Sequence, residues 1–274
     1  MKTLKWMTGM VLGTGLLLVS CTSTDEELNQ PSETGQGQLT LKLSSGTTFA
    51  ANATRAVNEA SYENVDNYTV IVTDKDGVEK LNCKGYEVAG KMPLTMSIGS
   101  YTVKAFYGTE SAASRDDFYV LGVEQGSIKA NQAEGVTVTC TPTCGRIKVT
   151  FDEDMDTFFD NYEVTFTGTE ALGTNTISWL KDDTEPWYVK LNEGGEKLTF
   201  TVTTTTKDAY LNSDNKEKVS TKNGSFTLSR NKAYKLNIKP NYTPTATGDI
   251  EIDITIDETT NDKPVDIEVP IEWL

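Results

Sequence analysis

Two tandem antiparallel β-sandwiches, followed by a pair of amphipathic terminal strands, are the all-β fold that this sequence predicts. Three observations predict it. Apolar residues alternate with polar ones along nearly every hydrophobic run, and a period of two gives a sheet one buried and one wet face. Turn residues punctuate these runs, and no segment longer than about ten residues carries a helical period. The opening pattern also recurs, as Gly37-Gln-Leu39-Thr-Leu41-Lys-Leu43 and again as Gly145-Arg-Ile147-Lys-Val149-Thr-Phe151. Self-similarity of that kind marks two copies of one unit.

Residues 1–20 read as an export signal. Lys2 and Lys5 form its basic start, and Met7 to Val19 form an apolar stretch of 13 residues, too short for a membrane span. Leu18-Val19-Ser20-Cys21 places a cysteine at the cleavage point, so Cys21 is the expected lipidation site of a bacterial lipoprotein. Several acyl chains on one residue make a lasting anchor where a single chain does not. Residues 21–36, beginning Cys-Thr-Ser-Thr-Asp25-Glu26-Glu27, are polar and acidic and form a tether with too little apolar surface to fold.

The first sandwich is expected over residues 37–142 and the second over 143–247, joined near Thr141-Pro142-Thr143. Asn67-Tyr68-Thr-Val70-Ile-Val72 in the first unit is matched by Asn161-Tyr162-Glu-Val164-Thr-Phe166 in the second. Leu39 and Tyr68 lie 29 positions apart and Ile147 and Tyr162 only 15, so the first unit carries an insertion of about 14 residues, Ser45 to Asn58. Residues 248–274 add two alternating strands, one with Ile250, Ile252, Ile254 and Ile256, the other with Val265, Ile267, Val269 and Ile271. They either close the second sandwich as a hairpin or pass as donor strands to a neighbouring subunit.

Composition excludes several function classes. Loss of residues 1–20 removes Lys2 and Lys5 and no acid, leaving 23 basic against 40 acidic side chains, a net charge of −17. Nucleic acid and anionic lipid are therefore not expected partners. The chain has no histidine, which removes Ser-His-Asp machinery and His-ligated zinc. Neither enzyme activity nor a cofactor is expected.

Three clusters are candidate sites. Asp152, Asp154, Asp156, Asp160 and Glu163 stand at positions 1, 3, 5, 9 and 12 of a calcium-loop register; Thr157 occupies the place of the turn glycine, and a solvated acidic turn is the default. Cys83, Cys140 and Cys144 are an odd set in an exported chain, either with one bridge to Cys83 or buried as small apolar residues. Trp179, Trp187 and Tyr188 bracket a loop and could offer sugar rings a flat platform, although sandwich cores also need such residues.

With its lipobox and acidic tether, Gly99-Ser-Tyr101-Thr-Val103-Lys-Ala105, Phe118-Tyr-Val120-Leu-Gly122 and a second unit opening after Cys140 to Cys144, the chain resembles the fimbrillin-like surface lipoproteins of the Bacteroidales, in particular a related family of unassigned function. The resemblance spans most of residues 21–240. It implies two transthyretin-like, Greek-key sandwiches on the outer face of the outer membrane. It also implies fimbrial-type partner subunits and host or glycan ligands. In related fimbrillins an arginine-specific protease removes the first strand, and the matching residue here is Arg55, in the polar insertion. The expected role is a fimbrial or fimbria-like subunit, anchor or tip adhesin, assembling by strand complementation. The alternative is a glycan-binding surface lipoprotein of a polysaccharide-uptake system.

Overall fold

The computed structural model describes residues 35–47, 49, 57–211, 218–241, 251–260 and 263–267. Cys21 and residues 22–34 of the tether, Arg55, Ile250, Val269 and Ile271 lie outside the described residues, while Gln36, placed in the tether by the sequence, opens the first strand; of the predicted donor faces, only the side chains of Ile254 and Ile256 are described.

The fold is all-β. Eight strands come from the first half: β1 (Gln36–Ser45), β2 (Thr69–Asp74), β3 (Glu79–Lys84), β4 (Leu94–Ser97), β5 (Gly99–Tyr107), β6 (Ala113–Ser114), β7 (Val120–Ile128) and β8 (Ala133–Pro142). Nine follow: β9 (Cys144–Phe151), β10 (Phe159–Thr167), β11 (Ile177–Leu180), β12 (Trp187–Lys190), β13 (Glu196–Thr206), β14 (Val219–Leu228), β15 (Ala233–Asn241), β16 (Glu251–Thr260) and β17 (Lys263–Ile267). Two short helices, α1 (Gly85–Lys91) and α2 (Met155–Phe158), interrupt them.

The alternation read in the sequence becomes burial. Val70 and Val72, Val103 and Ala105, and Leu39 and Leu41 fill one core, while Ile147 and Val149, Val164 and Phe166, and Leu198, Phe200 and Val202 fill another. Each such side chain larger than alanine stabilises the fold by about 1.5–3 kcal/mol relative to leaving it in water.

The two halves share one strand order. The first sheet runs β3-β2-β5-β7-β8-β1-β4, and the second half repeats it as β11-β10-β13-β14 and β15-β9-β12. The correspondence extends to main-chain bonds. In the first half Asn131 N–H donates to the Gln36 carbonyl and Gln38 N–H to the Gln132 carbonyl; in the second, Asn231 N–H donates to the Cys144 carbonyl and Arg146 N–H to the Lys232 carbonyl. Asn131 and Asn231 both adopt positive φ, at 56° and 57°, a conformation that asparagine tolerates better than most residues. Pairing within the sheets is mostly antiparallel, yet β1 with β8 and β9 with β15 pair in parallel, because each opening strand returns beside the last strand of its unit.

The halves differ at one edge. β7 reaches β8 through Val120↔Pro142 and Leu121↔Thr141. Among the described residues β14 makes no such pair with β15; that edge of β15 is taken by β16 in nine residue pairs, from Ala233↔Thr259 to Asn241↔Glu251. β17 then pairs with β16.

The repeated turn makes a simple prediction. Asn131→Gly should leave stability unchanged or slightly raised, while Asn131→Ala should lower it by up to about 1 kcal/mol, since both asparagine and alanine carry a Cβ in the left-handed conformation but only asparagine's short polar side chain can offset it by bonding locally. Urea unfolding of both variants measures this.

Candidate functional site

The most densely cross-linked region among the described residues is the junction where the first half meets the second. Gly108, at φ +83°, begins the connection between β5 and β7; a Cβ there would sit 1.8 Å from the Phe118 carbonyl oxygen, so only glycine fits. The connection carries β6 out of the first sheet and adds it as an edge strand to β12, with Tyr188↔Ser114 and Val189↔Ala113 opposed.

One residue beyond β6, Arg115 is fixed from three directions. Its guanidinium forms a two-pronged ion pair with Asp183, donates to the Ser178 carbonyl at 2.8 Å, and lies over the Trp187 ring at 4.8 Å and the Trp179 ring at 5.5 Å. Planar charge, paired forks and aromatic faces are the contacts that suit arginine and not lysine.

A second cluster lies deeper. Glu59 is 1 % exposed and accepts two bonds from Arg146 Nη1, at 2.8 and 2.9 Å, and one from the Tyr188 hydroxyl at 2.6 Å. Arg146 lies over the Phe49 ring at 5.6 Å. Phe118 stacks on Tyr188 at 4.7 Å and on Tyr62 at 3.7 Å. The Tyr62 hydroxyl donates to Asp117, and burial first, then that carboxylate, drives its pKa well above the usual tyrosine range. Asn231 Nδ2 donates to the Gly46 carbonyl at 2.7 Å, and Lys190 pairs with Glu110 at 2.6 Å.

Of the two readings of Trp179, Trp187 and Tyr188 that the sequence offered, these contacts favour the core over a sugar platform. Trp179 is fully buried and Tyr188 2 % exposed. Trp179 Nε1 donates to the Glu185 carbonyl and Trp187 Nε1 to the Ser178 carbonyl. Trp179 and Trp187 face Arg115, and Tyr188 faces Phe118 and Glu59, so the three present no shared flat face to a sugar. Sequence reading missed the partners because Glu59, which opens a single helical turn, and Arg115, which stands beside Asp116 and Asp117, lie far along the chain from the groups they bind.

The five carboxylates of the calcium register do not converge. Asp152 Oδ1 accepts the Asp154 N–H. Asp156 accepts from the Tyr162 hydroxyl at 2.9 Å and pairs with Lys181 at 2.6 Å, a partnership that holds its carboxyl below the usual range. Asp160 pairs with Lys218 at 3.4 Å, and Glu163 lies along β10. Among the described residues no group of three or more Asp, Glu, Cys or His is placed to hold a metal ion. Cys83, Cys140 and Cys144 are free and buried. Burial pushes the Cys140 thiol up to about 12 and raises those of Cys83 and Cys144.

An all-β chain of two like sandwiches locked through buried charge and aromatic stacking is the class of protein that this fold defines. The chain belongs to the family described as Domain of unknown function (DUF4493), whose model matches residues 35–271. Similar solved structures include a putative adhesin from Bacteroides ovatus, with 11 % identity, 86 % of this chain and 96 % of that one covered, and a TM-score of 0.45. A putative cell adhesion protein from Bacteroides eggerthii shares 12 % identity over 84 % of this chain and 97 % of that one, with a TM-score of 0.40. The fimbrial anchor protein Mfa2 from Porphyromonas gingivalis shares 12 % over 82 % and 98 %, also with a TM-score of 0.40. No curated protein sequence matches the chain.

These charged pairs and thiols have measurable consequences. Glu59→Ala removes the buried carboxylate that accepts from Arg146 and from the Tyr188 hydroxyl and should cost about 3–5 kcal/mol; Arg115→Ala, at a partly exposed pair, should cost about 1.5–3 kcal/mol. Denaturant unfolding checks both. The thiols should resist a disulfide-exchange reagent in the native state and react fully in denaturant. Because the folded Cys140 pKa lies above the unfolded value of about 8.5, the stability it contributes is complete below that pH and is lost as pH rises toward 12. Melting temperatures across that window, with Cys140→Ala as control, measure the loss.

Proposed function

We propose that this chain is a non-enzymatic lipoprotein, held by lipid on Cys21 at the outer face of the outer membrane, and that it serves a fimbria-like assembly as a structural or accessory subunit, an anchor or a tip. It would meet other subunits by strand complementation. The observation that carries this reading is the way the second sandwich is finished. β15 already has β9 on one side, and its other edge is satisfied by a strand from beyond the repeated unit. Ile256 is buried in the second core and Ile254 packs against it. Main-chain bonds along an edge together with a row of aliphatic side chains are the elements of strand addition. The same elements serve whether the strand comes from this molecule or from its neighbour.

The first sandwich supports the same reading from its other end. β1 lies between β8 and β4, with Leu39 and Leu41 in the core. Cutting after Arg55 would release residues 21–55, taking away both the lipid and β1, and would leave a slot for an incoming strand. An uncut chain keeps its lipid and its first sheet and acts as an anchor or accessory protein.

The experiment is the intact mass of the protein isolated from its native outer membrane, before and after an arginine-specific protease, with deletion of residues 248–274 as a partner test. A lipidated species beginning at Cys21 fits the anchored form; a species beginning at Ala56 in high-molecular-weight ladders fits the polymerising form. Absence of lipid together with a monomer that loses no interaction on the deletion would overturn the proposal.

A further inference from the structure

A cleft of about 380 Å³ in the second half is lined by Lys148 to Glu153 on one wall and by Lys181 to Thr184 on the other, with Tyr162 at its base. Its position follows from a mismatch in strand length. β12 opposes β9 only from Cys144 to Ile147, where Trp187 is its first residue. On the opposite side β15 accompanies β9 from Arg146 to Phe151. Residues Lys148 to Phe151 therefore have a paired side and, among the described residues, no strand on the other. Pro186 precedes Trp187, and the β12 ladder to β9 ends at Trp187.

Main-chain parity says which groups face the cleft. Arg146 N–H and Asp152 N–H donate toward β15, to the Lys232 and Ile238 carbonyls, whereas the Thr143 carbonyl accepts from Leu191 N–H on the β12 side. Alternation along the strand then turns the peptide groups of Val149 and Phe151 toward the side that β12 leaves open. A buried main-chain donor or acceptor without a partner is costly, and the ligand that best matches two of each at strand spacing is another extended chain.

Charge narrows the choice. Lys181 is paired with Asp156 and Asp183 with Arg115, so Asp152, Glu153 and Asp182 outnumber Lys148 around the cleft. The half-buried Phe151 ring, 4.7 Å from that of Tyr162, adds an apolar floor. Two of the chain's own segments outside the described residues are poor occupants: residues 21–33 carry Asp25, Glu26, Glu27 and Glu33 and no base, and residues 268–274 carry Glu268 and Glu272 and no base. The terminal segments of a second copy carry the same acids and match the cleft no better.

We propose that the edge of β9 from Lys148 to Phe151 is a docking site for an extended basic peptide segment of a different protein, which binds antiparallel to β9 in line with β12. The segment exchanges main-chain hydrogen bonds with Val149 and Phe151, sets an aliphatic side chain against Phe151 and presents lysine or arginine to Asp152, Glu153 and Asp182. The site is separate from the edge of β15 that β16 covers, and it stands whether or not the chain joins a fimbria.

The test uses the mature chain in detergent and a positional library of hexapeptides, followed by amide exchange on the selected complexes. Peptides enriched in lysine or arginine alternating with aliphatic residues should be selected and should slow exchange of the Val149 and Phe151 amides. N-methylation of alternate peptide nitrogens should weaken binding at least about tenfold, and so should the double variant Glu153→Lys with Asp182→Lys, whose exposed positions leave the fold intact by circular dichroism. Selection of no peptide, binding that ignores N-methylation, or protection confined to other strands would overturn the proposal.

Discussion

The junction depends on a single buried carboxylate. Glu59 enters the interior from the connection between β1 and β2, and it is held by an arginine from β9 and a tyrosine from β12. A charge removed from water is tolerable only when hydrogen bonds and an opposite charge replace hydration. Here those replacements come from the other half of the molecule. Phe49 and Phe118 surround the ion pair with apolar rings, which keeps water out and leaves the carboxylate committed to Arg146. The result couples the two sandwiches: neither can withdraw without stranding a charge.

Arg115 repeats the principle nearer the surface with the roles reversed, since here the first half supplies the cation and the second supplies the carboxylate and the ring faces. Together with β6 lying along β12, the two charge clusters turn what would be a hinge between repeats into a packed seam. Lone surface ion pairs contribute little, but these are partly or wholly shielded and are joined by main-chain pairing.

Much of the fold was legible because it rests on period-two alternation. The opening strands announced themselves through Leu39 and Leu41 and through Ile147 and Val149, all of which are buried. The duplication was legible too, although its clearest mark, an asparagine in the left-handed conformation ahead of β8 and again ahead of β15, lies in turns where a single residue type says little. The junction was not legible. Trp179, Trp187 and Tyr188 could be read either as core or as a surface for sugars, because a sequence shows which rings exist but not which cation or carboxylate will face them. Glu59 and Arg115 are each separated from their partners by a long stretch of chain, so no local pattern links them. The cleft beside β9 was equally hidden, because it arises from where β12 stops, and strand ends are set by tertiary pairing more than by propensity.

The connection between β15 and β16 has a consequence for competition. Residues 242–250 join the two strands, so β16 meets its acceptor edge as part of the same molecule. A short covalent link presents a binding element at an effective concentration on the order of millimolar. A strand offered by another molecule must outbid that local supply, either by fitting the edge better or by being held at comparable density. Were the chain held by lipid as proposed, confinement to a plane would raise mutual encounter, and the balance between self-closure and exchange would then be set by surface crowding as much as by the strands themselves.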